Sequence, residues 1–167
     1  MTVYTTIPSP VGELLLVGER ASAGVALTSV STPGAKNAPV PHGDWRHDPA
    51  AFTAAADRFG AYFAGEAISF DLEFAPRGTD FQHRVWRKLD TIPYGTTTTY
   101  GALAAELGLP RERIQALGTA IGANPLLIVR PCHRVIGTDG SMRGYAGGVE
   151  RKHQLLVHEG ALQPTLL

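Results

Sequence analysis

The sequence predicts an α+β protein: a small N-terminal domain that combines an antiparallel sheet with a helix, followed by a mainly helical domain with a helix-turn-helix. Three observations predict it: β-prone segments on both sides of a tight turn near the start, helix-spaced aromatic residues further on, and two short helices around a turn at residues 108–110. A chain of 167 residues can hold one ordinary domain or two small ones, and we expect two, over residues 1–76 and 77–167.

The first half begins with a predicted hairpin. Residues 4–7 and 13–17 are β-prone and are separated by the turn-forming run Pro8-Ser9-Pro10-Val11-Gly12. A third strand is predicted by the alternation of Val25, Leu27 and Ser29. Residues 31–47 are rich in proline, glycine and polar side chains, which predicts a loop.

A helix follows the predicted loop. Asp48 suits its N-cap and Pro49 its first turn. Apolar residues then recur at helical spacing down to Gly65, namely Phe52, Ala55, Phe59 and Phe63. Apolar and polar residues alternate over residues 68–74, which is typical of an edge strand. Nothing in this half indicates catalysis.

The sequence of the second half predicts three successive helices before residue 125. Thr79 caps the first, whose apolar residues are Phe81, Val85, Trp86 and Leu89. Thr99 caps the second, over residues 100–107, and the third covers residues 111–122. The third stops before Asn124-Pro125 because the residue preceding a proline disfavours helical geometry. The second and third helices are a helix-turn-helix candidate, although ordinary packed helices give the same pattern.

The last part of the chain carries the most distinctive sequence. An apolar segment, residues 126–129, is predicted as a strand that leads into Pro131-Cys132-His133-Arg134-Val135. A glycine-rich segment around Tyr145 follows. A final helix over residues 149–159 turns Leu155 and Leu156 inward.

Charge is distributed unevenly along the chain. Residues 1–76 carry 4 basic and 8 acidic side chains, a net charge of −4, whereas residues 77–167 carry 11 basic and 7 acidic, a net charge of +4. Such asymmetry suggests a polyanionic partner for the basic half, and it also arises by chance in small domains.

The composition restricts the class of protein. No apolar run approaches the roughly 18 residues of a membrane helix, and the first residues lack the features of a signal peptide. With a single cysteine the chain has neither an internal disulfide nor a cysteine-based zinc site. We therefore expect a cytoplasmic protein with no metal, no cofactor and no membrane contact.

Cys132 is the candidate nucleophile. A thiolate is strongly nucleophilic, but a free cysteine is mostly protonated at neutral pH and needs a base that is itself held in place. His133 offers that base, although adjacent side chains often point apart, so that a bridging water is needed. The alternative is that Cys132 fills the core as a small apolar residue, which is the commoner fate of a lone cysteine.

The pentapeptide Pro131-Cys132-His133-Arg134-Val135 resembles the PCHRV active-site motif of the O6-alkylguanine-DNA alkyltransferases. The similarity extends over residues 77–160. It includes the runs Asn124-Pro125, Tyr94-Gly95, Thr99-Tyr100-Gly101 and Gly144-Tyr145-Ala146-Gly147-Gly148, together with Lys152, Leu155-Leu156 and Glu159.

This resemblance implies a catalytic set. Cys132 is expected to accept an alkyl group from O6-alkylguanine, and also from O4-alkylthymine, in a single irreversible turnover. His133 acts as base through a water and Glu159 fixes its tautomer. Asn124 braces the loop of the cysteine, and Tyr100 donates to the departing guanine. Each has a simpler alternative: Glu159 as a solvated residue near a helix end, Asn124 as a helix terminator, Tyr100 as a packing residue.

The resemblance also implies contacts to the base and to DNA. The substrate-binding residues are then Arg134, Val135, Tyr145 and Ala146, with Tyr145 as a wall of the pocket and the Ala146 amide near O6. The second helix of the helix-turn-helix is expected to enter the minor groove of double-stranded DNA and to help rotate the damaged base out of the stack. Its DNA-binding residues are Arg113, Gln115, Ala116, Gly118 and Ile121. We expect the protein to act as a monomer.

Two positions depart from the family pattern. Gln115 stands where the family has an arginine that fills the space left by the extruded base; glutamine can hydrogen-bond an orphaned base but brings no charge. Arg130 replaces a more usual apolar residue and is interpreted as a phosphate contact or a solvated edge.

Three other functions compete with stoichiometric DNA repair. One is a damage sensor that binds alkylated guanine without transfer, although the alkyltransferase-like proteins of this kind carry tryptophan where this chain has Cys132. Another is a divergent thiol acceptor with weak duplex repair, suggested by Gln115. The third is a generic cysteine hydrolase, for which no second signature is present.

Overall fold

The computed structural model describes residues 1–22, 24–66 and 68–164, and the chain divides into two units. The first unit comprises Met1–Arg77 and the short segment Pro125–Val129. The second comprises Gly78–Asn124 and the chain from Arg130 onward. The predicted fold class is confirmed: a sheet with a helix in the first unit, and mainly helices in the second.

The sheet of the first unit has the strand order β3-β2-β1-β4. β1 (Thr2–Ile7) and β2 (Leu14–Ala21) pair antiparallel, and β3 (Gly24–Ser31) pairs antiparallel with β2. The predicted hairpin is confirmed, and its turn is closed by the Gly12 amide, which donates to the Ser9 carbonyl at 3.0 Å. Glycine suits this position because its φ is +108°.

A fourth strand lies inside the predicted loop. β4 (Arg46–His47) pairs parallel with β1 through Val3 and Tyr4. Two exposed polar residues are too few to produce a period-2 pattern, so the sequence could not indicate this strand. The rings of Trp45 and His47 lie against Tyr4, with centroids 6.3 and 5.2 Å away.

The helix of the first unit begins with a 3₁₀ turn, Pro49–Phe52, and continues as α1 (Thr53–Phe63). Asp48 is at the predicted cap position but makes no capping bond, since its carboxylate pairs with Arg20. Tyr62 is buried at the end of the helix, whereas Phe63, the last of the apolar residues at helical spacing, is half-buried.

Two predicted strands of the first unit are reduced to isolated contacts. Residues 68–74 form only a bridge between Phe74 and Leu27, and residues 126–129 form a turn with one bridge between Leu126 and Val30. Both segments meet β3 at a single point. An apolar run is therefore compatible with a buried turn, and Ile128 in this one takes a φ of +74°.

The second unit contains the four helices predicted for it. α2 (Asp80–Leu89) starts with a capping box between Thr79 and Gln82, and α3 (Tyr100–Glu106) is capped by the Thr99 hydroxyl. A turn at Gly108 and a 3₁₀ turn, Arg111–Arg113, lead to α4 (Ile114–Gly122), which packs on α2 and α3. The predicted helix-turn-helix is thus present.

The remaining elements of the second unit surround the cysteine. They are a 3₁₀ turn, Cys132–Arg134, then β6 (Val135–Ile136), which pairs with β5 (Thr98–Thr99), and the final helix α5 (Val149–His158). In the described part of the chain, no helix has the length and apolar character needed to cross a membrane.

Candidate active site

The cysteine turn is held by its own backbone and by a short sheet. The Cys132 amide donates to the Arg130 carbonyl at 2.7 Å, and the Arg134 amide donates to the Pro131 carbonyl at 3.0 Å. Directly after the turn, β6 pairs parallel with β5, with Val135 opposite Thr98. Because β5 leads into α3, this pairing brings Tyr100 near the cysteine.

Cys132 is 5% exposed, and burial raises the pKa of its thiol to about 11. A hydrogen bond from Asn124 and the charge of Lys152 act in the opposite direction and lower that pKa. The thiol of the resting protein is therefore neutral near pH 7, and its reaction requires a base that takes the proton.

His133 is fully buried and has the geometry of such a base. Its Nε2 lies 2.7 Å from Oε2 of Glu159, whereas no group in the described residues hydrogen-bonds its buried Nδ1. Burial lowers the pKa of His133, Glu159 raises it, and the charges of Arg134 and Lys152 lower it. The imidazole is accordingly neutral, with Nε2–H donating to the carboxylate and the Nδ1 lone pair available to accept a proton.

Glu159, directly after α5, is shared between the imidazole and Arg134. Arg134 Nε and Nη2 donate to its two carboxylate oxygens at 2.7 and 3.0 Å, and Nη1 donates to the Ile92 carbonyl at 2.7 Å. The side chain of Arg134 is thus buried in an ion pair with Glu159. The substrate-binding role expected of Arg134 stays a prediction, and any contact with a base would involve its main chain.

Asn124 lies just after α4, where the helix ends as predicted before Pro125. Its side chain is 4% exposed, and Nδ2 donates to the Arg130 carbonyl at 3.0 Å. The same amide hydrogen-bonds the Cys132 thiol. Asn124 thus lies at the end of the helix and hydrogen-bonds the cysteine turn, and its role in alkyl transfer stays a prediction.

Two tyrosines near Cys132 stay protonated. Burial and the neighbouring cysteine raise the pKa of Tyr100, although Arg143 lowers it. Burial, Cys132 and Glu159 raise the pKa of Tyr145 well above its usual range. The hydroxyl of Tyr145 is buried and, among the described residues, has no hydrogen-bond partner. Both phenols are therefore available as donors to a bound ligand.

Lys152 is a candidate whose role the sequence reasoning did not assign. Its side chain is fully buried in α5, and Nζ donates to the carbonyls of Met142 and Gly144 in the glycine-rich segment. Burial lowers the pKa of Lys152 to about 8, while Cys132 raises it. The signal in the sequence was its helical spacing, since Lys152 shares the inner face of α5 with Leu155, Leu156 and Glu159.

The expected DNA-binding residues differ in exposure. Arg113 and Gln115 are exposed, whereas Ala116 and Gly118 are half-buried. The guanidinium of Arg113 lies over the ring of Phe81, 4.7 Å from its centroid. Ile121 is 3% exposed and belongs to the apolar core of the second unit, so any contact of Ile121 with DNA would involve its main chain. Val135 is fully buried and Ala146 half-buried, so any contact they make to a base would involve their main chain.

Two family models match the chain. The ribonuclease-like domain of 6-O-methylguanine DNA methyltransferase matches residues 2–76, and the DNA binding domain of the same family matches residues 80–161.

Curated relatives match over nearly the whole chain. The methylated-DNA–protein-cysteine methyltransferase of Mycobacterium bovis is 46% identical over 165 residues, which are 99% of this chain and 96% of the relative. The protein of that name from Methanosarcina acetivorans is 42% identical over 158 residues, which are 95% of this chain and 98% of the relative.

Solved structures agree with these relatives. The crystal structure of Mycobacterium tuberculosis OGT in complex with DNA has 46% sequence identity and a TM-score of 0.84, covering 95% of this chain and 93% of that one. The O6-methylguanine-DNA methyltransferase of Pyrococcus kodakaraensis has 23% identity and a TM-score of 0.65, covers 96% of this chain and 99% of that one, and supports the fold alone.

Proposed function

The chain belongs to the 6-O-methylguanine DNA methyltransferase family, and on that premise we propose that it repairs DNA by moving the alkyl group of O6-alkylguanine onto Cys132. The observation that carries this proposal is a buried thiol adjacent in sequence to the His133–Glu159 pair, in which no group of the described residues hydrogen-bonds the imidazole Nδ1. The reaction is a single turnover that consumes the protein.

The thiol proton must leave as the sulfur attacks. His133 Nδ1 takes that proton through a bridging water, and the carboxylate of Glu159 holds Nε2–H and stabilises the positive charge that forms. The Cys132 sulfur then displaces the O6 oxygen at the alkyl carbon, so that the S–C bond forms as the C–O bond breaks. Asn124 and Lys152 favour the thiolate in this step, since both lower the pKa of Cys132.

The leaving guanine carries negative charge until it gains a proton. Tyr100 stays a neutral phenol and is near Cys132, so its hydroxyl donates a hydrogen bond to the ring of the departing base and stabilises the negative charge there. The proton that neutralises the base is the one that left the Cys132 thiol. Tyr145 forms a wall of the base pocket, and the main chain of Val135 and Ala146 contacts the edge of the base. The alkyl group remains on Cys132 as a stable thioether.

Double-stranded DNA is the substrate, and the damaged base must leave the stack to reach a buried sulfur. α4 presents the exposed Gln115 and the small residues Ala116 and Gly118, which allow close approach to the minor groove. We assign O4-alkylthymine as a second substrate, and we place the protein in the cytoplasm as a monomer.

Mass spectrometry after incubation with a duplex containing one O6-methylguanine tests this function. We expect one methyl group per protein molecule, on the peptide that carries Cys132. Cys132→Ser should bind the duplex as the parent does and should gain no methyl group, because a serine hydroxyl is a poor nucleophile toward an alkyl carbon. Tight binding by the parent without transfer would instead support the damage-sensor function.

A further inference from the structure

Arg130, two residues before the nucleophile, makes a two-bond ion pair with Asp90. Its Nε and Nη2 donate to the two carboxylate oxygens at 3.0 and 3.1 Å. Asp90 is the C-cap residue of α2, directly after Leu89. The planar guanidinium fixes orientation as well as distance in such a pair, so the side chain of Arg130 is anchored to the end of a helix.

The main chain of Arg130 organises the cysteine turn. Its carbonyl accepts a hydrogen bond from the Cys132 amide at 2.7 Å and another from Asn124 Nδ2 at 3.0 Å. Any rotation of the Arg130 backbone would displace the carbonyl oxygen that both donors share, so both hydrogen bonds would change. One of them belongs to the nucleophile itself, and the other is the side chain that hydrogen-bonds the thiol.

We propose that the Asp90–Arg130 ion pair is a positioning device for Cys132, which fixes the Arg130 carbonyl and thereby the orientation of the thiol during alkyl transfer. This inference rests on the proposed function. It assigns roles to two residues that do not touch the reacting atoms.

The surroundings of Arg130 favour positioning over a contact with DNA phosphate. Its side chain is 11% exposed, its Nη1 is buried, and its guanidinium carbon lies 5.8 Å from the centroid of the Trp86 ring. Trp86 in turn donates from Nε1 to the Ala120 carbonyl of α4 at 2.9 Å. The cysteine turn is thus connected through α2 to the helix expected to bind DNA.

The free energy of unfolding and the rate of alkyl transfer together distinguish a positioning role of the ion pair from a merely stabilising one. Asp90 is 45% exposed, and an ion pair with an exposed partner contributes little to the free energy of unfolding. The rate is far more sensitive, since a displacement of about 1 Å at a reacting group can slow a reaction roughly 100-fold. Loss of the pair should therefore change the rate much more than the melting temperature.

The test compares Arg130→Met, Asp90→Asn and the double variant with the parent. Methionine keeps an unbranched apolar side chain but cannot pair with Asp90. Each protein is assayed for the transfer rate constant on free O6-benzylguanine and on a saturating O6-methylguanine duplex, together with duplex affinity and Tm. Because every molecule reacts once, the end point measures the folded fraction and the rate constant measures the geometry of the site.

We expect each single variant to react about tenfold more slowly on both substrates, with unchanged end point, duplex affinity and Tm. The double variant should be no slower than the singles, since the two residues act as one unit. Lys88→Met is the matched control: it removes another ion pair of α2, with Glu106 at 3.5 Å, and should react as the parent does.

Three results would overturn the inference. They are unchanged rates, separate losses that multiply in the double variant, and a loss confined to the duplex with weaker binding, which would identify Arg130 as a phosphate contact. Failure of the proposed function is distinguishable, because then the parent itself would gain no alkyl group from the duplex.

Discussion

The carboxylate of Glu159 has two partners of different character, and this determines the chemistry of His133. Arg134 is permanently charged and binds both carboxylate oxygens, whereas His133 binds one of them and is neutral. The carboxylate charge is therefore already balanced before the reaction begins. His133 can accept the thiol proton during attack instead of holding it beforehand, which suits a general base.

Glu159→Gln should damage both stability and rate. The neutral amide would leave the Arg134 guanidinium buried without a counter-ion, which typically lowers the free energy of unfolding by about 3–5 kcal/mol. It would also stabilise the imidazolium less, so transfer should slow and the apparent pKa of Cys132 should rise. Urea denaturation and a pH profile of thiol alkylation measure the two effects.

A double variant provides the control for this prediction. Arg134→Met added to Glu159→Gln should recover part of the lost stability, since it removes the unpaired charge, but it should not recover the rate. A loss of less than about 1 kcal/mol in the single variant, with an unchanged pH profile, would remove Glu159 from the catalytic set.

Lys152→Met should move the pH profile of transfer to higher pH. The charge of Lys152 lowers the pKa of Cys132, so without it the thiolate forms less readily. The rate constant on free O6-benzylguanine, measured from pH 6 to 10, should be lower in the variant, with the largest ratio at the acidic end. Arg151→Met changes a neighbouring basic residue of α5 and is the control. Parallel profiles would show that Lys152 only holds the glycine-rich segment.

The same lysine has a defined effect on stability against pH. Its pKa falls from 10.5 in the unfolded chain to about 8 in the folded one, so between these values the unfolded chain binds the extra proton. The free energy of unfolding should therefore gain a component that rises from pH 8 to 10.5. Cys132 acts in the opposite sense from about pH 9 to 11, because its folded pKa is raised. Comparison of Lys152→Met with its parent in a Cys132→Ser background isolates the lysine.

For single residues, the sequence predicted which residues form the candidate site better than it predicted where their side chains point. The motif around Cys132 and the final Glu159 supplied the nucleophile and its neighbours, because these residues are recognisable one by one. The sequence could not show that the side chain of Arg134 pairs with Glu159, that Ile121 packs in the core, or that Lys152 donates to two carbonyls. Those directions depend on which face of each short helix packs inward.

Among the elements, α4 carries Gln115, a position at which the sequence departs from the expected family pattern. Gln115 lies exposed in its first turn, next to the 3₁₀ turn that carries Arg113. The guanidinium of Arg113 lies over the ring of Phe81 in this arrangement. If Gln115 lies at the expected position, its amide fills the space of the extruded base without a charge.

Gln115→Arg should speed transfer from duplex DNA and leave the reaction with free O6-benzylguanine nearly unchanged. A guanidinium adds stacking, hydrogen bonds and attraction to phosphate in the space of the extruded base. The cost to stability should be small, because both residues are good helix formers. Rate constants for both proteins on both substrates measure the effect. Equal gains on the two substrates, or none on the duplex, would place the flipping residue elsewhere.

The elements predicted correctly share strong local signals. α2 and α3 begin at threonine caps, and the helix-turn-helix turn has a glycine with a φ of +68°. The elements predicted wrongly have none. β4 exists because two residues lie beside β1, and residues 126–129 are a turn because they meet β3 at one point. Such contacts are formed by the tertiary structure and leave no periodicity in the sequence.

Residues 125–129 interrupt the second unit in the sequence of the whole molecule. The segment lies between α4 and the cysteine turn, yet it belongs to the first unit. The Val30 amide donates to the Pro125 carbonyl at 2.8 Å, and the Leu127 amide donates to the Val30 carbonyl at 3.1 Å. The division at residues 76 and 77 that the sequence suggests therefore separates this segment from its partners on β3.

A fragment of residues 78–167 should consequently fail to form a reactive protein. Leu126, Leu127 and Ile128 are 0–2% exposed in the full chain and would lose β3 as their partner. Burial of each such side chain contributes about 1.5–3 kcal/mol, and three of them approach the ~5–15 kcal/mol that stabilises a whole domain. The fragment should unfold without a cooperative transition and should not be alkylated by O6-benzylguanine.

The control is the full chain with a protease site inserted between Arg77 and Gly78. After cleavage but before the two fragments are separated, residues 125–129 still lie on β3, so reactivity should persist. Parental reactivity in the isolated fragment would show that the second unit folds without those contacts.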